Sequence, residues 1–162
     1  MKEPDLLDGK KVLVVDDEPD VLESLEELLS MCDVAKASDF ESAKAKIERD
    51  RFDLVILDIM GVSGYDLLEL ATQKDMTTVM LTAHALTPEN IVKSYKEGAA
   101  YFLPKEEMVN IASFLNEILE AKQKGKSTWD NWMNRLAGYC ERTFGDKWKD
   151  TEKDFWDRFP FY

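Results

Sequence analysis

The chain is poor in the side chains that build covalent or metal frameworks. Two cysteines, Cys32 and Cys140, occur in 162 residues, with no CxxC spacing. That excludes a disulfide framework or a thiolate zinc site, and two reduced, mostly buried thiols are expected. His84 is the single histidine. No apolar run approaches the length of a bilayer span, and the opening "MKEPDLLDGK" lacks a signal peptide's apolar core. The expectation is a cytoplasmic chain with no membrane partner. Positive charge is short as well: 21 Lys and Arg stand against 33 Asp and Glu, for a net charge of −12 and a pI near 4.6. Nucleic acid is therefore not an expected partner.

What is present is the make-up of a globular protein. Hydrophobic residues are 44% and charged residues 33%, and the length suits one domain plus a modest appendage. Strand-like apolar runs fall at 11–15 ("KVLVV"), 34–37 ("VAKA"), 54–57 ("LVIL"), 78–81 ("TVML") and 100–103 ("AYFL"). Helical spacing separates them. Val21, Leu22, Leu25, Leu28 and Leu29 form one face of a helix that opens on Pro19. Thr87 before Pro88 has the form of an N-cap followed by proline at the first helical position. Five strands alternating with five helices predict an α/β, doubly wound parallel sheet with both faces covered.

In such sheets function gathers at the carboxyl ends of the strands. Asp16 and Asp17 follow the first strand, Asp58 the third, Thr82 the fourth and Lys105 the fifth. A carboxylate such as Asp58, where a buried strand runs out, is costly unless it is paired. Three carboxylates at one edge call for a compensating charge, and oxygen ligands suit a hard divalent ion, Mg²⁺ above all. A lysine and a hydroxyl beside that ion make a cradle for a phosphoryl group. A carboxylate can itself be the nucleophile, giving an aspartyl phosphate, and Asp58 on the central strand is the candidate.

Four segments, "VLVVDDEPD", "LVILDIM", "MLTAHA" and "EGAAYFLPK", resemble in order the pattern of response regulator receiver domains of two-component systems. The resemblance covers residues 11 to about 120 and implies a flavodoxin-like strand order, 2-1-3-4-5. It implies that Asp58 takes a phosphoryl group from a histidine kinase or phosphotransfer protein. Asp17, Asp58 and the backbone carbonyl of Met60 would bind Mg²⁺ directly, with Asp16 acting through water. Thr82 and Lys105 would contact the phosphoryl group, Phe102 would be the switch aromatic, and Met60 and His84 would tune phosphoryl lifetime. Such a protein is a phospho-acceptor rather than an enzyme, limited to self-phosphorylation from small donors and slow self-dephosphorylation. Two alternatives stand beside this reading. One is an aspartyl-phosphate phosphatase of similar architecture, which the spacing in "DDEPD" disfavours; the other is a degenerate receiver acting as a scaffold.

The chain also departs from that pattern. After Asp58, "IMGVSG" lacks the proline common in relatives and is shorter by about two residues. Only 24 positions separate Asp58 from Thr82. Glu106 follows Lys105 where proline is frequent, so a different loop should lead into the fifth helix.

Domains are expected at 1–122 (receiver), 123–127 (linker "QKGKS") and 128–162 (helical extension). The extension carries every tryptophan: Trp129, Trp132, Trp148 and Trp156. Residues 123–162 hold 8 Lys and Arg against 7 Asp and Glu, leaving 13 against 26 in residues 1–122. The acidity thus belongs to the receiver. Residues 127–145 are amphipathic, with Ser127 and Asp130 resembling a capping box and Gly145 a C-terminal cap. A second aromatic segment ends at Pro160, so a helical hairpin is expected. Its aromatic face either packs on the receiver or supports a homodimer or a downstream protein contact.

Overall fold

The computed structural model describes residues 5–83 and 87–159. The apolar runs become β1 (Lys11–Val15), β2 (Asp33–Ala37), β3 (Leu54–Leu57), β4 (Thr77–Thr82) and β5 (Tyr101–Pro104). All neighbouring pairs are parallel, in the order β2-β1-β3-β4-β5. Between and after them run α1 (Pro19–Leu28), α2 (Phe40–Arg49), α3 (Gly64–Gln73), α4 (Pro88–Lys96) and α5 (Ile111–Gln123). This is the doubly wound sheet that the alternation predicts.

Position in the sheet explains the burial of each strand. Every residue of β3 and β4 is buried, because each has a strand on both sides and helices on both faces. In β2, an edge strand, only Ala37 is buried. β4 outruns its apolar segment because Thr77 and Thr82 also join the strand. β5 closes on Pro104, a residue tolerated at the end of an edge strand because it withholds no ladder donor there. Helix starts follow their caps. Pro19 opens α1, Asp39 accepts from the Ser42 amide at 2.7 Å, and Thr87 accepts from the Asn90 amide at 3.1 Å.

β5 is the other edge strand, yet all four of its residues are buried. The extension covers it, through α6 (Trp132–Phe144), a 3₁₀ turn (Asp150–Glu152) and α7 (Lys153–Arg158). The Trp129 indole donates to the Ala99 carbonyl and the Trp132 indole to the Phe102 carbonyl, each at 2.8 Å and each buried. The Phe102 carbonyl, which an edge strand would offer to another chain, is thereby taken, as is that of Ala99 just before the strand. Around these bonds Trp129 lies against Tyr95 and Tyr101, and Phe155 against Tyr95. Arg135 reaches back to Glu117 at 2.8 Å and lies over the Phe114 ring.

Two expectations for the extension need correction. The helix begins at Trp132 rather than at Ser127. The Ser127 hydroxyl accepts from the Trp129 amide, and the Asp130 amide donates to the Ser127 carbonyl. Those bonds form a turn that presents Trp129 to Ala99, so the capping box is not built. The second helix is a single short segment after a 3₁₀ turn, and Pro160 lies outside the described residues. Gly145 ends α6 with φ +90, as a helix-terminating glycine does. The aromatic face packs on the receiver, so a homodimer through these helices would need a different face. Among the described residues no helix is long and apolar enough to cross a membrane.

Candidate functional site

Strand register brings the polar residues to one edge. Val15 pairs with Leu57 and Leu57 with Met80, so β1 and β3 end level and Asp16 and Asp58 emerge side by side. Thr82 pairs with Pro104, which places Lys105 one step beyond. Asp58 is buried, with its amide held by the Val15 carbonyl at 3.0 Å. Its two carboxylate oxygens have different partners. The Thr82 hydroxyl donates to Oδ1 at 2.9 Å, and the Lys105 ammonium donates to Oδ2 at 3.2 Å.

Lys105 is the hub. Its Nζ lies 2.8 Å from Asp16, 3.2 Å from Asp58 and 3.6 Å from Glu18. Burial alone would lower its pKa, but the Asp16 hydrogen bond and the charges of Asp58 and Asp16 outweigh it and hold the ammonium above the ordinary lysine value. Asp16 moves the other way from a typical paired carboxylate. Burial raises its pKa, only partly opposed by its bonds to Lys105 and to the Glu18 amide. That amide donates to Asp16 Oδ1 at 2.9 Å and so orients the carboxylate.

The expected residues fall into three groups. Asp16, Asp58, Thr82 and Lys105 are joined by direct bonds. Asp17 is exposed, and Met60 is 54% exposed. Met60 shares a shallow groove of about 330 Å³ with Ser63, Tyr65 and Asn90. Phe102 is fully buried and meets the extension through its carbonyl. His84 lies outside the described residues.

Three residues that sequence reasoning did not single out also shape the site. Glu18 joins Asp16 and Asp17 in a group whose carboxylate oxygens lie within 4.8 Å of one another. Its adjacency to the paired aspartates was the available signal. Gly64 allows the chain to cross Asp58, since a Cβ there would lie 2.1 Å from the Asp58 carbonyl oxygen. A Cβ on Gly61 would lie 2.5 Å from Asp17 Oδ2. Steric demands of this kind have no one-dimensional signature.

Among the described residues, the carboxylates of Asp16, Glu18 and Asp58 meet the Lys105 ammonium, and Asp17 adds a fourth carboxylate beside Asp16 and Glu18. An all-oxygen set with excess negative charge fits a hard divalent cation such as Mg²⁺. Asp58 stands slightly apart from the other three and is tied to Thr82 and Lys105 instead.

Comparison with known proteins gives this geometry its family. The model of the response regulator receiver domain matches residues 12–123. Two-component response regulator ARR18 of Arabidopsis thaliana is 37% identical over 103 residues, covering 60% of this chain and 16% of that protein. Two-component response regulator ORR22 of Oryza sativa subsp. indica is 36% identical over 156 residues, covering 90% of this chain and 20% of that protein. The chain thus spans a fifth or less of the length of these relatives. Among solved structures, a CheY-like receiver domain protein from Methanospirillum hungatei JF-1 superposes with a TM-score of 0.65 at 28% identity, covering 72% of this chain and 98% of that one. A response regulator from Burkholderia pseudomallei, solved with a phosphorylated aspartic acid and a calcium ion, shares the fold with a TM-score of 0.57 at 22% identity, over 70% of this chain and 72% of that one. With a family model matched over more than half its length and an acid, hydroxyl and lysine gathered at one sheet edge, the chain belongs to the response regulator receiver domain family.

Proposed function

We propose that this chain is a phosphorylation-dependent signalling receiver in which Asp58 accepts a phosphoryl group from a histidine kinase or phosphotransfer protein. The observation that carries the reading is the division of labour around one carboxylate: a hydroxyl on one oxygen of Asp58 and an ammonium on the other. An Asp58 oxygen attacks phosphorus, the new O–P bond replaces the P–N bond of the phosphohistidine donor, and the departing imidazole nitrogen keeps that electron pair and takes a proton from water. Forming the acyl phosphate removes the carboxylate charge that Asp58 offers Lys105 and supplies phosphoryl oxygens within the same reach. Lys105 then pairs with those oxygens, and the Thr82 hydroxyl donates to them. Asp17, Asp58 and the Met60 carbonyl would hold Mg²⁺, with Asp16 acting through water, and the ion would supply charge neutralisation at the phosphoryl group.

The receiver unit is 1–122, joined by 123–127 to the extension 128–162. Phe102 is the switch aromatic of this reading, with Met60 and His84 tuning phosphoryl lifetime. The proposed output is contact with a downstream protein or a second copy of the chain in the cytoplasm. The aromatic side of α6 and α7 is occupied by the receiver, so such a contact uses their outward side or requires the extension to leave β5. Acetyl phosphate with Mg²⁺ should add one hydroxylamine-labile phosphoryl group, read by intact mass. Asp58→Asn should take up none; equal labelling of that variant would contradict the assignment.

A further inference from the structure

The loop after Asp58 is folded tightly over the site. Gly61 has φ +83, Ser63 also lies in the left-handed region at φ +53, and the Gly64 amide donates to the Ile59 carbonyl at 3.0 Å. This path lays the backbone of Gly61 directly against Asp17. A Cβ built on Gly61 would lie 2.5 Å from Asp17 Oδ2, 2.7 Å from Cγ and 3.0 Å from Oδ1. All three near atoms belong to one carboxylate, and the three nearest include no backbone atom.

That selectivity gives the position a function. We propose that Gly61 is a positioning residue for the divalent-cation site: its missing side chain keeps the space in which the Asp17 carboxylate can face the cation. The inference rests on the receiver reading above. A methyl group at 61 would force the carboxylate back by roughly an ångström to reach ordinary van der Waals separation. Asp17 is exposed, so the carboxylate retreats into solvent at little cost to the fold. What is lost is the aim of a metal ligand. Ligand orientation of this kind is set by neighbours that never touch the ion. Gly125 supplies the matched control, with φ +67 and nothing within 4 Å of its would-be Cβ. Alanine there incurs the same left-handed backbone cost without any contact.

The test is calorimetric titration of Mg²⁺ into the full chain, with thermal unfolding followed in parallel. Gly61→Ala should weaken Mg²⁺ binding by about 10-fold to 100-fold, the range found when a ligand's supporting neighbour is lost. Gly125→Ala should bind like the parent. In an Asp17→Ala background Gly61→Ala should have no further effect on Mg²⁺, because its target is gone. Gly61→Asn, which tolerates a positive φ yet carries a Cβ, separates strain from contact and should weaken Mg²⁺ as well. Parent-like affinity in Gly61→Ala, or an undiminished effect without Asp17, would overturn the proposal. So would loss of the folded state in both variants at 61, since the clash would then fall on the backbone and not on Asp17. A parent chain that neither binds Mg²⁺ nor accepts a phosphoryl group would instead overturn the receiver reading.

Discussion

Trp132→Phe isolates one of the two buried indole bonds that tie the extension to the receiver, the one made to β5 itself. The substitution keeps an aromatic ring in place but removes the indole N–H that the Phe102 carbonyl accepts at 2.8 Å in a buried setting. Phe102 lies on the outer strand of the sheet, so no further strand is available to take over that carbonyl. Leaving it unsatisfied costs about 1–3 kcal/mol, and the smaller ring forfeits about 1 kcal/mol of apolar burial. The sum, about 2–4 kcal/mol, corresponds to a fall in Tm of roughly 5–15 °C for a chain of this size. Trp156 is the internal control. It stacks on Trp132 with centroids 5.9 Å apart, and its own indole nitrogen is buried with no hydrogen-bond partner among the described residues. Trp156→Phe loses the same ring area but also removes an unsatisfied donor, so its net cost should be near zero. Urea unfolding followed by far-UV circular dichroism measures both. A Trp132→Phe variant no less stable than Trp156→Phe would refute the claim that the indole bond holds the extension on β5.

Three further outcomes are expected. Ser63, a non-glycine residue at φ +53 with no side-chain cap bond, should yield roughly 0.5–1 kcal/mol of added stability on Ser63→Gly, read by urea midpoint. The Tyr101 hydroxyl is buried with no partner among the described residues, and burial raises its pKa, so Tyr101→Phe should stabilise the chain by about 1 kcal/mol. Burial pushes the Cys140 thiol up to about 12 and the Cys32 thiol up to about 11. A thiol whose pKa is raised by folding favours the native state below its ordinary value of 9.0 and loses that contribution as pH climbs towards the folded value. Stability should therefore decline between those limits, less steeply in Cys140→Ala, and alkylation of the native chain near neutral pH should be slow.

Much of the sheet was legible because its signals are local. Four-residue and five-residue apolar runs, a Thr-Pro helix start and polar residues directly after strands each reflect a short-range rule, and Asp58, Thr82 and Lys105 meet as that pattern predicts. The start of α6 was misread because Ser127 and Asp130 can serve a turn as readily as a cap. What decided between them is the distant Ala99 carbonyl that Trp129 reaches. The same holds for the aromatic face, whose spacing announces an amphipathic helix but not the surface it covers. Gly61 and Gly64 were opaque for a different reason: their importance is the space they leave for Asp17 and for the Asp58 carbonyl. Absence of a side chain leaves no chemical signature in a sequence.

The proposed function stands or falls on Asp58 as the group that carries the phosphoryl. Treatment with acetyl phosphate and Mg²⁺, followed by borohydride reduction and peptide mass spectrometry, converts an acyl phosphate into homoserine at the modified position. Homoserine should appear at position 58 alone and be abolished in Asp58→Asn. Homoserine at Asp16 or Asp17, or an unmodified chain under conditions where Mg²⁺ is bound, would contradict it.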